Sequence, residues 1–171
     1  MLPKPIFWLP LLALLLVACT PVRRQETAAV PLVPLDLVRQ AGGVIWWRAP
    51  LRIHDTQLPL VEYDRNGNAS SRIVDDILFP TDVLIVLAEQ TEEVRVFLRR
   101  SPHGGCLLLY RQDRARFEDP CYGSLFDLAG QYIDGPSRRH LDELPATIQG
   151  EMIWVTPEIV YGQPSLVMQQ P

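Results

Sequence analysis

Beyond its first few dozen residues this chain is punctuated by glycines, prolines and an Asn-Gly turn, a pattern that favours short strands. The β-prone runs are Val44-Ile45-Trp46-Trp47, Leu58-Pro59-Leu60-Val61-Glu62-Tyr63, Asp82 to Ala88 and Val94 to Leu98. Asp64 to Asn68 supplies a turn after the second run, and Glu89 to Glu93 joins the third to the fourth. In the fourth, alternation turns Arg95 away from Val94 and Val96. Cys106 to Tyr110 is a further strand candidate, while Ile73 to Leu78 offers a single helical turn. Short strands at close spacing imply a small all-β sandwich or barrel.

A length of 171 residues allows one ordinary domain with extensions. The net charge of -4 gives no footprint for nucleic acid, so none is expected as a partner. Residues 1–19 read as an export signal: Lys4 supplies the positive start and Phe7 to Val17 the apolar stretch, shorter than the ~20 residues of a membrane span. It ends in Leu16-Val17-Ala18-Cys19, which resembles the bacterial lipobox. That resemblance implies acylation of Cys19 and anchoring of an exported lipoprotein on the periplasmic or outer side of a membrane. The alternative is an uncleaved anchor with an incidental cysteine. Residues 20–35, with Pro21, Pro31 and Pro34, are expected to form a flexible tether, residues 36–156 the domain, and residues 157–171 an irregular tail.

Two loops carry the chemistry: Ser101-Pro102-His103-Gly104-Gly105-Cys106 and Asp119-Pro120-Cys121-Tyr122-Gly123-Ser124. They resemble the paired loops of Rieske proteins, Cys-x-His-x-Gly-Cys and Cys-x-Cys-His-Gly-Ser, which hold a two-iron, two-sulfur cluster. Leu125-Phe126-Asp127-Leu128-Ala129-Gly130, then Gly135-Pro136 and the run Met152 to Val155, follow in the order of a Rieske domain. The resemblance covers Val83 to Val155 and implies a Rieske-like fold. It also implies that Cys106 and Cys121 form a disulfide between the loops; two buried free thiols are the alternative.

A Rieske cluster takes two thiolates on one iron and two imidazoles on the other. By this alignment Ser101 and Asp119 stand at the thiolate positions, Tyr122 at one imidazole position, and His103 alone persists. Oxygen donors are hard and do not replace thiolate toward iron and sulfide. The expectation is therefore no metal and no cofactor. A mononuclear site, or a cluster that recruits Cys106 and Cys121 as thiolates, are the alternatives.

Other residues carry less. Trp46 and Trp47 fall on opposite faces of one strand, one for the core and one for solvent or a contact. His54 and His140 lack metal-ligand spacing, and Asp75-Asp76 and Glu92-Glu93 read as solvated. Arg99-Arg100 and Arg138-Arg139 either rim the loop tip with positive charge or are simply solvated. No Ser-His-acid set or phosphate-binding glycine loop suggests catalysis, and Cys106 and Cys121 lack the Cys-x-x-Cys spacing of thiol-disulfide enzymes. What the resemblance implies is a non-catalytic subunit of a membrane electron-transfer complex, with His103 and Tyr122 beside Pro102 and Pro136 as a docking patch. The alternative is an electron carrier with altered cluster ligation.

Overall fold

The computed structural model describes residues 28–51, 53, 57–63, 69–75, 80–88 and 90–165, with the backbone alone for 57–63 and 69–75. The expected signal, Cys19, residues 20–27 of the tether, His54, the Asp64 to Asn68 turn and residues 166–171 lie outside them. Among the described residues no helix is long and apolar enough to cross a membrane.

Strand β1 (Val30–Pro34) leads into a short helix α1 (Leu35–Gln40), then β2 (Val44–Ala49), β3 (Gln57–Tyr63) and β4 (Ala69–Asp75). The hairpin β5 (Thr81–Ala88) and β6 (Glu93–Leu98) follows, then β7 (Leu109–Arg111), β8 (Arg116–Glu118), β9 (Leu125–Asp127) and β10 (Tyr132–Asp134). The described chain closes with β11 (Glu143–Leu144), β12 (Ala146–Gln149) and β13 (Met152–Val155). Pairing is antiparallel throughout, in sheets ordered β1-β13-β12, β11-β6-β5-β2, β10-β9-β8-β7 and β3-β4. The all-β expectation holds.

The β11-β6-β5-β2 sheet is the middle layer, which explains why Val83 to Leu87 is apolar without alternation: strands covered on both faces read that way. Val83, Ile85, Leu87, Val96 and Leu98 face one core, shared with Val33, Val38, Ile153 and Val155. Leu84, Val86 and Phe97 face a second core with Leu108, Phe117, Phe126 and Leu141. The second core seats the loop-bearing β10-β9-β8-β7 sheet. Phe97 and Phe117 meet edge to face there, with ring centroids 6.4 Å apart.

Two sequence expectations need correction. Residues 30–35 are not tether: β1 pairs with β13, and Leu32, Val33 and Leu35 are buried. Pro31 and Pro34 are compatible with this because β1 is an edge strand, where a missing N–H costs no ladder bond. Ile73 to Asp75 belong to β4, not to a helical turn. Residues 157–165 lack strand structure but pack closely. Ile159 is buried, Val160 exchanges two backbone hydrogen bonds with Glu143, and Ser165 N–H donates to the Arg138 carbonyl at 3.0 Å.

Candidate functional site

The two loops meet at one end of the β10-β9-β8-β7 sheet. The first leaves β6 and reaches β7; the second joins β8 to β9. Ser101 and Asp119, which the motif alignment sets at the thiolate positions, are both buried. Each is spent on its own loop. Ser101 Oγ accepts from His103 N–H at 3.3 Å, and Asp119 Oδ1 accepts from Cys121 N–H at 2.9 Å and Tyr122 N–H at 3.2 Å. Both loops then close through the backbone: Ser101 N–H donates to the Cys106 carbonyl at 2.7 Å, and Asp119 N–H to the Ser124 carbonyl at 2.8 Å.

A disulfide joins Cys106 to Cys121, with their Cα atoms 6.3 Å apart, as the resemblance implied. Cys106 is half-buried and Cys121 exposed. Gly104 (φ +72°) and Gly123 (φ +80°) adopt the left-handed backbone that turns each loop back on itself. Gly104 has a second reason to be glycine: a Cβ there would lie 2.3 Å from Cε2 of Tyr122. The Tyr122 ring thus covers the first loop and meets His103 edge to face, with centroids 4.9 Å apart. It is 54% exposed and roofs the loops.

The Gly135-Pro136 loop is locked onto the second loop. A Cβ on Gly135 would stand 2.6 Å from the Ser124 Cα, so only glycine permits this approach. Buried Ser124 accepts from Ser137 N–H at 3.0 Å, and the Tyr132 hydroxyl donates to the Gly135 carbonyl at 2.7 Å. Burial pushes the Tyr132 hydroxyl pKa up, so it stays protonated as that donor. His140 is a packing residue: its Nδ1 accepts from Tyr132 N–H at 2.9 Å. Arg95 ties the loop sheet to the middle layer, paired with Glu143, bonded to the Ala129 carbonyl and lying 5.0 Å over the Phe97 ring.

The expected docking patch is partly rearranged. Tyr122 is exposed, but Pro102 is buried and Leu107, 42% exposed, takes a place at the tip that the motif comparison missed. Two of the four arginines of the expected positive rim are engaged otherwise. Arg139 is buried in an ion pair with Asp142, and Arg99 donates to the Leu108 carbonyl at 3.0 Å while stacking 4.7 Å over exposed Trp46. Trp47 packs against the first core, so the two indoles divide as alternation required.

These donors do not fit a Rieske cluster. The oxygens at the two thiolate positions are bonded within their loops, the tyrosine at an imidazole position faces solvent, and the two sulfurs are bonded to each other. Two buried polar atoms of the site lack a hydrogen-bond partner: His103 Nδ1 and Asp119 Oδ2.

No family model matches the sequence. Over 74 residues it is 27% identical to the cytochrome b6-f complex iron-sulfur subunit 2 of Nostoc sp. (strain PCC 7120), a match that spans 43% of this chain and 42% of that protein. The fold aligns with the crystal structure of the cyanobacterial plasma membrane Rieske protein PetC3 from Synechocystis PCC 6803 at a TM-score of 0.46 and 17% identity. That alignment covers 75% of this chain and 98% of the other.

Proposed function

We propose that the chain carries a Rieske-type domain and serves as a non-catalytic accessory subunit of a membrane electron-transfer complex. It docks or stabilises partner subunits while other proteins carry the electrons. The observation that supports this most is the use of Ser101 and Asp119: the side chains at the thiolate positions hold up the loops themselves. The tip presents Tyr122, packed on half-buried His103, and Leu107, an aromatic and apolar surface of the kind that anchors interfaces. Acylated Cys19 would hold the domain on the outer face of a membrane, with residues 20–29 as the remaining tether. Sequence similarity to a cytochrome b6-f subunit supports a partner complex of that class.

Two measurements test the reading. Iron and acid-labile sulfide in protein purified from its own host should both be far below stoichiometric. Affinity capture from solubilised membranes should recover a redox complex, and Tyr122→Ala together with Leu107→Ala should reduce that recovery severalfold. Stoichiometric iron and sulfide would instead establish the electron-carrier reading, and capture without redox subunits would remove the assignment of partner.

A further inference from the structure

The one cluster of metal-ligating atoms among the described residues sits inside the brace itself. Cys106 Sγ, Cys121 Sγ and a carboxylate oxygen of Asp119 all lie within 4.8 Å of one another. Two observations make this more than proximity. Asp119 is 2% exposed, and its Oδ1 is fixed by two backbone N–H groups, so the carboxylate cannot swing away. Its Oδ2 is buried and has no hydrogen-bond partner, a state that costs free energy unless something occupies it.

We propose that opening the Cys106–Cys121 disulfide converts this point into a site for a divalent cation of the zinc class, held by two thiolates and the Asp119 carboxylate. Tetrahedral zinc with Zn–S of about 2.3 Å needs ligand atoms roughly 3.5–3.8 Å apart. The present spacing reaches that with shifts of about 1 Å, the scale on which two sulfurs relax when their bond is cut. Thiolates select zinc over hard cations, and the exposed side at Cys121 leaves the fourth position to water.

The chemistry balances with a dithiol as reductant. Its thiolate attacks the exposed Cys121 sulfur and Cys106 departs as thiolate; the second thiol then resolves the mixed disulfide, leaving the reagent oxidised and Cys121 reduced. Metal binding releases the proton of each thiol that is still protonated. The brace and the cation are thus mutually exclusive occupants of the same two sulfurs.

The test uses the full chain carrying Cys19→Ser, which leaves two of the three cysteines, titrated anaerobically with cobalt chloride as the spectroscopic probe. After phosphine reduction, one equivalent of cobalt should bind with thiolate-to-cobalt charge-transfer bands and tetrahedral visible bands. The disulfide form should bind at least about 100-fold more weakly, and Asp119→Asn, which keeps an oxygen acceptor for the loop, should weaken the reduced form at least about tenfold. X-ray absorption of the reduced, cobalt-loaded protein should give two sulfur neighbours with oxygen or nitrogen completing the shell, a result that needs no Asp119 variant to fold. Equal binding by both redox forms, four sulfur neighbours, or undiminished binding by Asp119→Asn would each overturn the proposal.

Discussion

Removal of Asp142 should be the most damaging single change outside the apolar cores. Its side chain and that of Arg139 are each 5% exposed, and they form a two-pronged pair: Nη2 lies 3.0 Å from Oδ2, and Nη1 is bonded to Oδ1. Asp142 Oδ1 also accepts from Gly162 N–H at 3.0 Å, so the pair clamps residues 157–165 over the base of the Gly-Pro loop. Asp142→Ala leaves a buried guanidinium with the Gly162 carbonyl at 3.4 Å as its remaining acceptor and an Nε that already lacks a partner. An uncompensated buried charge costs about 3–5 kcal/mol. At about 2–4 °C per kcal/mol for a chain of this size, the melting temperature should fall by roughly 6–20 °C. Arg139→Met combined with Asp142→Leu should recover most of that loss, leaving about 1 kcal/mol for the Gly162 N–H without its acceptor. Calorimetry of the wild type, Arg139→Met, Asp142→Leu and their combination measures the coupling directly, with Asp142→Ala alongside. A loss under about 1 kcal/mol for Asp142→Ala, or a double variant less stable than that single variant, would refute the assignment of a buried, mutually dependent pair.

Reducing the disulfide, which spans 15 residues, should cost about 3 kcal/mol by loop entropy, and amide exchange should show the loss concentrated at residues 101–106 and 119–124. Uniform loss of protection across the middle sheet would contradict that localisation. A hydrogen bond from Arg48 lowers the pKa of Asp82, so this pair contributes stability above the ordinary carboxylate range, and the contribution disappears as pH falls through the lowered value. Asp82→Asn should therefore flatten the stability profile below about pH 4, and unfolding titrations at several acid pH values check this. Ser101→Cys, Asp119→Cys and Tyr122→His introduced together restore the motif's donor types, and that triple variant should acquire iron and sulfide well above the wild type; no gain would show that the loops have diverged beyond their ligands.

The fold was legible wherever the sequence pattern had one physical cause. Asp82 to Ala88 announced a strand, whose cover on both faces only the two cores reveal, and the paired loops announced their own disulfide through resemblance. What escaped the sequence had two competing causes. Pro31 and Pro34 signal a breaker in isolation, yet an edge strand tolerates them once Val33 and Leu35 have a core to enter. Arg138-Arg139 looks like surface charge until Asp142, three residues on, is known to be buried beside it. The tip failed in the same way. Nothing in the motif shows that Pro102 faces inward and Leu107 outward, because that depends on how far the Arg100–Leu107 bridge extends the sheet pairing past β6.

The loops hold their shape because of where their backbone donors go. A turn that folds around a ligand aims several N–H groups inward, and a buried N–H without an acceptor costs about as much as a lost hydrogen bond. Taking away the acceptor atoms while keeping the turn would open the second core at Phe117 and Phe126, which flank it. Aspartate at position 119 resolves that conflict with one oxygen for two donors, and Ser101 does the same for His103 N–H. Ser124, bonded to Ser137 N–H, extends the device to the third loop. Ser101 and Asp119 thus each keep backbone donors satisfied and help hold the shape of the tip. The shape held in this way leaves Tyr122 and Leu107 exposed, and the proposed docking role rests on that surface.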